Sequence, residues 1–201
     1  MGYLIFDTET NGLPECPCYG IFPLYNNLEK YKNARVVQVS YMICDDTYNK
    51  LEESDTVIKR DSYPINNSQF HGITEERSDT FGISFVDFAH QFKNSLSFVH
   101  TLVAHNIDFD FNVIASELYR YNLFDILEAF ESKKRVCTMK KYKMKVGATF
   151  KNSTNIIREI RIKDPNLKEL YHYATGEVLE NHHNSMYDVL NLWKAVKALE
   201  S

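Results

Sequence analysis

Residues 3–12 read YLIFDTETNG, a run of apolar side chains that ends in two carboxylates and a glycine-containing turn. Because side chains alternate along a strand, Asp7 and Glu9 are expected on one face, at the exit of a buried strand. Neighbouring carboxylates repel each other unless a cation or a shared proton lies between them, and Mg²⁺ takes oxygen ligands. The pair therefore indicates half of a metal site, although a strand that merely ends in a polar turn has the same pattern.

The composition is ordinary for a soluble globular protein, with 44% hydrophobic and 25% charged residues among 201. A chain of this length is expected to form one domain, residues 1–201, with its own core. No apolar run approaches the ~18 residues that span a bilayer, and no basic and apolar leader opens the chain. We expect an intracellular protein, cytoplasmic or nuclear, with no signal peptide, transmembrane segment or membrane partner.

The cysteines are spread over the chain, and none forms a Cys-x-x-Cys pair. They are Cys16, Cys18, Cys44 and Cys137. Cys16-Pro-Cys18 is a weak indication of metal binding, so we expect reduced thiols.

Hydrophobic periodicity predicts strands first and then strands that alternate with helices. Strands are predicted at the opening stretch, Val36–Cys44, around Thr56–Lys59, Phe98–Ala104 and Arg135–Met139. Helices are predicted over Ser84–Leu96, Asp108–Tyr121, Leu167–Ala174 and Ser185–Glu200. Residues 13–34 read as a long loop, whereas residues 147–163 permit either a hairpin or a loop. This order predicts an α/β fold with a mixed sheet.

Further acidic residues fall at element boundaries. Asp108 and Asp110 follow a strand at the start of a helix, where α/β sheets build binding sites. His183 precedes the last helix, and Asp188 lies in its first turn. A histidine with an ordinary pKa near 6.5 can act as a base at neutral pH.

Three motifs now occur in order: Asp-x-Glu at Asp7 and Glu9, His-Asn-x-x-x-Asp from His105 to Asp110, and His-x-x-x-x-Asp from His183 to Asp188. Together they resemble the DEDDh group of DnaQ-like 3′–5′ exonucleases in the RNase H-like superfamily. The segments 71–74 and 167–176 are also similar to recurring features of that family.

The resemblance implies a single exonuclease domain with an RNase H-like fold, in which helices flank a mixed five-stranded sheet. It also implies a two-metal mechanism with Mg²⁺ or Mn²⁺. Asp7, Glu9 and Asp188 would bind one ion, Asp7 would bridge to a second, and Asp110 would hold that second ion. His183 would deprotonate the attacking water.

Two of these assignments have neighbouring competitors. Asp108 suits the N-cap of the following helix, whereas Asp110 matches the family position. His182 lies beside His183, but only His183 has the four-residue gap to Asp188. The related subgroup with a tyrosine base would have Tyr where Asn184 stands.

The resemblance also indicates substrate contacts. Thr10, Asn11 and Gly12 would lie beside the terminal nucleotide, and His105 and Asn106 are candidates for contacts to the substrate strand.

Two segments bear on substrate choice. Eleven of the 23 basic residues lie between Ser132 and Lys163, and Lys140, Lys141, Lys143 and Lys145 are expected to bind phosphates unless the segment is only a solvated loop. The aromatic residues of the long loop either stack on bases or cover an edge of the core. They are Tyr19, Phe22, Tyr25 and Tyr31.

The leading expectation is a metal-dependent 3′–5′ exonuclease that releases nucleoside monophosphates from single-stranded or mismatched DNA ends. The alternatives are an exoribonuclease or oligoribonuclease, and a non-catalytic nucleic-acid-binding module associated with a polymerase. The expected partner is a nucleic acid with a free 3′ end, and the sequence is compatible with a polymerase or replication partner.

Overall fold

The computed structural model describes residues 2–18, 20–150, 161–179 and 184–200. The strands in these ranges are β1 (Gly2–Thr10), β2 (Val36–Cys44), β3 (Lys50–Val57), β4 (Val99–Ala104) and β5 (Lys134–Cys137). The helices are α1 (Ser68–His71), α2 (Glu75–Phe81), α3 (Phe85–Ser97), α4 (Ile107–Arg120), α5 (Phe124–Glu131), α6 (Thr138–Val146), α7 (Leu167–Thr175) and α8 (Ser185–Glu200). A short 3₁₀ turn, Leu28–Tyr31, interrupts the long loop.

Within the described ranges the strands form one mixed sheet of five, in the order β3-β2-β1-β4-β5. β2 pairs antiparallel with both β1 and β3, whereas β4 pairs parallel with both β1 and β5. The predicted α/β architecture, a mixed five-stranded sheet flanked by helices, is confirmed.

A hydrophobic core lies on each face of the sheet because β1 alternates its apolar side chains. Leu4 and Phe6 pack with α3, α4 and α5 on one face. Ile5 packs with α6, α7 and α8 on the other face. The strand that carries the Asp-x-Glu pair is therefore covered by helices on both sides.

Predicted helix ends agree with the structure where capping residues are present. The side chain of Ser84 accepts a hydrogen bond from the Asp87 amide at the start of α3. Asn166 and Glu169 form a capping box at α7, and Gly176 ends that helix in the left-handed region at φ 75°. The bounds predicted for the last helix, Ser185–Glu200, are those of α8.

The edge strand is longer than predicted. Only its last residues were expected to pair, from Thr56, whereas β3 begins at Lys50. Its first half, KLEES, is polar and largely solvent-exposed, so it lacks the alternation that marks a half-buried strand. Charged side chains of this kind are common on edge strands, where they oppose pairing with other chains.

The lysine-rich segment is partly a helix, which the sequence reading missed. The predicted strand Arg135–Met139 ends at Cys137, and α6 begins at Thr138. Lysine and methionine are good helix formers, and the buried Thr138 and Tyr142 are four residues apart on one helix face. A solvated loop is therefore the wrong description of residues 138–146. Residues 151–160 lie outside the described part of the chain. On either side of them, Thr149 forms an antiparallel bridge with Ile162, and the Lys163 amide donates to the Ala148 carbonyl at 2.8 Å, as at the base of the predicted hairpin.

The four cysteines are all unpaired, as expected for reduced thiols. Across the described ranges, no helix combines the length and the apolar character needed to cross a bilayer.

Candidate active site

The site is built where β1 extends beyond its parallel neighbour. Ile5 pairs with Val103, and β4 ends at Ala104, so the part of β1 from Asp7 onward continues past the end of β4. The first turn of α4 lies across this gap. The end of β1 is therefore accessible to side chains from a following helix.

Asp7, Glu9 and Asp188 converge at this end of the strand. One carboxylate oxygen from each lies within 4.8 Å of the others, and all three residues are half-buried. Asp188 comes from the first turn of α8, which packs on the face of the sheet that carries Asp7 and Glu9. The two distant motifs thus form one cluster of oxygen donors.

Asp110 approaches from the opposite layer of the molecule. Its Oδ1 accepts hydrogen bonds from the backbone N–H of Thr8 at 3.0 Å and from the Thr8 hydroxyl at 2.8 Å. Because residue 8 alternates with residues 7 and 9, its side chain points toward α4, whereas the two acids point toward α8. Sequence reasoning did not identify Thr8, although its place between the two acids of the motif was the available signal.

The four carboxylates change one another's proton affinity. Burial raises the pKa of Asp7 well above its usual range, and the charges of Asp110, Asp188 and Glu9 add to the effect. Burial and the charges of Asp188 and Asp110 raise the pKa of Glu9 to about 7. Burial likewise raises the pKa of Asp110 to about 7, although the bonds from Thr8 oppose this shift. A cation at this position would relieve the repulsion, and the donor set is carboxylate oxygen, the type that hard divalent ions prefer.

Asp108 has a different role from the predicted N-cap. The N-cap of α4 is Asn106, in the left-handed region at φ 67°, so Asp108 lies inside the first turn. Its side chain is exposed by 38% and pairs with Lys140, whose Nζ lies 2.5 Å from Asp108 Oδ2. Asp110 is 3% exposed and interacts with Asp7. The geometry therefore places Asp110, and not Asp108, with the carboxylate cluster.

His105 connects the end of β4 with α6 and with the segment before α7. Its Nε2 lies 2.9 Å from the carbonyl of Pro165, which can only accept, so Nε2 carries a hydrogen. Its Nδ1 lies 3.0 Å from the hydroxyl oxygen of Thr138, and that hydroxyl also donates to the Ala104 carbonyl at 3.3 Å. Burial lowers the pKa of His105, consistent with a neutral ring. Both ring nitrogens thus have partners within the chain, and contact of His105 or Asn106 with a substrate strand stays a prediction.

Residues 10–12 are held by the chain itself. The Thr10 hydroxyl donates to the Gly12 carbonyl at 2.7 Å. Asn11 accepts from the Asn66 amide through Oδ1 and from the Asn67 side chain through its carbonyl. A Cβ on Gly12 would lie 2.8 Å from the carbonyl oxygen of Asn33. These bonds shape the turn beside Glu9, and its predicted contact with the terminal nucleotide stays a prediction.

The candidate base, His183, and its competitor His182 lie outside the described residues. The structure begins again at Asn184, whose side-chain oxygen accepts from the amides of Met186 at 3.2 Å and Tyr187 at 3.4 Å. Asn184 therefore caps α8 and fixes the helix turn that contains Asp188.

An open cavity of about 850 Å³ lies between the loop after β1 and the first turns of α4 and α6. Its lining includes Asn106 and Asp108 of the motif that carries Asp110, but none of the four clustered carboxylates. Phe22 and Phe109 line it with their ring centroids 5.9 Å apart. Two other loop aromatics serve the core: Tyr31 is fully buried, and Tyr25 packs against Tyr119. Covering the core is thus the correct reading for Tyr25 and Tyr31, whereas Phe22 faces the cavity. Tyr19 lies outside the described residues.

The lysines of α6 point in different directions and pair with different acidic residues. Lys140 lines the cavity, and Lys143 pairs with Asp164 of the cavity wall at 3.0 Å. Lys141 instead pairs with Glu200 of α8 at 2.7 Å. Acidic partners thus pair with three of the four lysines of α6, and of these three Lys140 lines the cavity.

The sequence model of the RNase T exonuclease family matches residues 4–196. Among curated proteins, none matches the sequence.

Solved exonuclease I structures share the fold. E. coli exonuclease I in complex with a dT13 oligonucleotide is 18% identical at a TM-score of 0.70, with 100% of this chain and 41% of that chain covered. Exonuclease I from Methylocaldum szegediense is 18% identical at 0.71, with 99% and 40% covered. The zinc-bound E. coli exonuclease I–ssDNA complex is 17% identical at 0.67, with 99% and 40% covered. This chain thus spans about two fifths of their length.

The family match covers nearly the whole sequence, and these structures have the same sheet and helix arrangement. The chain therefore belongs to the RNase T exonuclease family, with the RNase H-like fold that its three DEDDh motifs predicted.

Proposed function

We propose that the chain is a metal-dependent 3′–5′ exonuclease that releases nucleoside monophosphates from single-stranded or frayed DNA ends. The observation that carries the proposal is the convergence of Asp7, Glu9 and Asp188 within 4.8 Å at the end of a buried strand. Asp110 adds a fourth carboxylate from the other layer. Bringing four acids from three elements together lowers the stability of a fold unless the acids bind a cation.

Asp7, Glu9 and Asp188 would hold one Mg²⁺ or Mn²⁺ ion, and Asp7 with Asp110 would hold a second. Divalent ions bound in such a site neutralise phosphate oxygens, favour deprotonation of the attacking water and stabilise the leaving oxygen. The chain's own part is to fix the oxygen donors: Thr8 holds one oxygen of Asp110, and Asn184 caps the turn that carries Asp188.

His183 would accept the proton of the attacking water. It lies five residues before Asp188 and directly before Asn184, which caps α8. A histidine at this point of the chain is close enough in sequence to face the cluster, and its ordinary pKa suits proton transfer at neutral pH.

Single-stranded DNA is the substrate that the surroundings favour. The cavity at the first turn of α4, two residues from Asp110 at its Asp108 wall, is lined by aromatic and aliphatic side chains that suit the faces of unpaired bases, among them Phe22, Phe109 and Met139. Lys140 lies in the same wall and can meet a phosphate. The E. coli exonuclease I structures with dT13 and dA16 contain single-stranded DNA of this kind.

Digestion of 5′-labelled oligonucleotides tests the proposal. With Mg²⁺ or Mn²⁺, single-stranded DNA should shorten from the 3′ end into a ladder, and EDTA should abolish the ladder. Asp7→Ala and Asp110→Asn should also abolish it because each removes a metal ligand, whereas Asp125→Asn, at an exposed acid of α5 paired with Lys93, should not.

RNA and mismatched duplexes complete that assay. A ladder on RNA alone would identify an exoribonuclease, and binding without cleavage would identify a non-catalytic module. Cleavage that persists in EDTA or in Asp7→Ala would contradict the mechanism.

The histidine assignment has a matched control in the adjacent residue. His183→Ala should lower the single-turnover rate on the order of 10²- to 10⁴-fold, because a general base contributes about that much. Mn²⁺ affinity, measured by calorimetry, should stay near that of the original protein. His182→Ala should retain most of the rate, and the reverse result would move the base to His182.

Stability without metal should depend on pH in a defined direction. In the unfolded chain the pKa of Glu9 returns to its ordinary 4.5, whereas in the folded chain it is raised to about 7. The folded state therefore binds more protons between these values, and the free energy of unfolding should fall as pH rises from about 4.5 to 7.

Urea unfolding in EDTA at pH 5 and pH 8 measures this effect. Asp7→Asn should be more stable than the original protein at pH 8, because one of the repelling charges is gone. Glu52→Gln, on the exposed half of β3, is the control and should change little. A destabilised Asp7→Asn at pH 8 would argue against repulsion in the cluster.

Adjacent lysines of α6 test the phosphate contact. Lys140→Gln should reduce the slope of log affinity against log salt by about 0.7 for oligo-dT, the value of one phosphate contact on a single strand. Exchange of Asp108 for phosphate costs little because exposed ion pairs are weak. Lys141→Gln should leave the slope unchanged. Fluorescence anisotropy in EDTA measures both, and equal slopes for the two variants would remove Lys140 from the binding surface.

A further inference from the structure

A chain of hydrogen-bonded side chains runs behind the carboxylate cluster, from the edge strand to the start of α8. Ser185 Oγ lies 2.5 Å from Ser40 Oγ, and Ser40 Oγ donates to Asp55 Oδ1 at 2.7 Å. Gln38 Nε2 donates to the same oxygen of Asp55 at 2.6 Å. Ser185, Ser40 and Gln38 are all fully buried.

The direction of the serine bond follows from the donors available. A hydroxyl carries one hydrogen, and Ser40 uses its hydrogen on Asp55. The Ser185 hydroxyl must therefore donate to Ser40. The series of hydrogen bonds therefore has one direction. It ends on the Asp55 carboxylate, which accepts from both Gln38 and Ser40.

This series of hydrogen bonds lies directly behind the proposed metal ligands. Ser40 is the ladder partner of Asp7, and Gln38 is the partner of Glu9. Side chains of opposed residues share a face of the sheet, so both polar residues of β2 flank the acids of β1. Ser185 and Asp188 are three residues apart and share a face of α8. The bond between Ser40 and Ser185 thus joins the sheet to α8 one turn before Asp188.

The hydrogen bond between Ser40 and Ser185 acts where the start of α8 needs support. A carboxylate oxygen of Asp188 lies within 4.8 Å of one from Asp7 and one from Glu9, and like charges this close repel each other. The repulsion acts on the first turn of α8, and terminal turns are the least firmly held part of a helix. The buried serine bond opposes that displacement.

We propose that Ser185 is a positioning residue, which holds the first turn of α8 through Ser40 and Asp55 so that Asp188 stays beside Asp7 and Glu9 before a metal ion binds. The inference rests on the proposed function, since it takes the cluster to be a divalent-metal site. It concerns how the site is kept assembled, and it adds residues of β2 and β3 that no motif contains.

Mn²⁺ titration followed by calorimetry tests the inference, and the chain offers a matched control. Ser95 of α3 is also buried, and its hydroxyl oxygen lies 3.0 Å from the Tyr41 hydroxyl oxygen. Tyr41 is next to Ser40 in β2 and therefore points to the opposite face of the sheet. Ser185→Ala should weaken Mn²⁺ binding by about 3- to 10-fold, the size of one net buried hydrogen bond. Ser95→Ala should stay within about 2-fold, although it loses a comparable bond.

Ser40→Ala removes the other partner of the same hydrogen bond, on the sheet side. The test therefore still works if one of the two variants fails to fold. Urea unfolding in EDTA establishes that each variant is folded. Because both serines act through one bond, adding Ser185→Ala to Ser40→Ala should weaken Mn²⁺ binding no further.

The outcomes separate the two proposals. If the original protein binds no Mn²⁺, the proposed function fails. If it binds Mn²⁺ and Ser185→Ala binds it equally well, or if Ser95→Ala loses as much affinity, the positioning role of Ser185 is overturned while the proposed function stands.

Discussion

Repulsion among carboxylates at the end of β1 is the constraint on which the rest of the site depends. Asp7, Glu9 and Asp188 present oxygens within 4.8 Å of one another, and burial with mutual repulsion raises the pKa of Asp7 and of Glu9. A fold that holds such groups together before a cation binds must brace each supporting element. The contacts behind the cluster provide this bracing.

The alternation of one strand organises the site in two layers. Asp7 and Glu9 point toward α8, whereas Thr8 points toward α4 and donates twice to Asp110. The last part of β1 has no β4 neighbour, so the Thr8 amide is free for a side chain in place of a strand partner. One tripeptide therefore supplies two of the clustered carboxylates and also fixes a third carboxylate, Asp110, from the other face of the sheet.

Fewer aromatic and basic side chains are available to a ligand than the composition suggests. Tyr25 and Tyr31 of the long loop pack with the core, and Lys141 is turned toward Glu200. The cavity at the first turn of α4 keeps Phe22, Phe109 and Lys140 in its wall. These aromatic faces and the Lys140 ammonium are the features that support the proposed single-stranded substrate.

The sequence by itself determined the family, the mixed sheet, most strands and the bounds of α8, because these depend on local periodicity and on short motifs whose order is visible along the chain. The same local signals failed for the polar half of β3 and for α6, where little or no apolar pattern exists. Only the tertiary structure decided that Asn106 caps α4 and that Asp108 pairs with Lys140, and only the packed layers bring Thr8 to Asp110 and Ser185 to Ser40. The reason is distance along the chain: Thr8 and Asp110 are 102 residues apart, and Ser40 and Ser185 are 145 apart. No periodicity records such pairs, because they come into contact only when the layers pack.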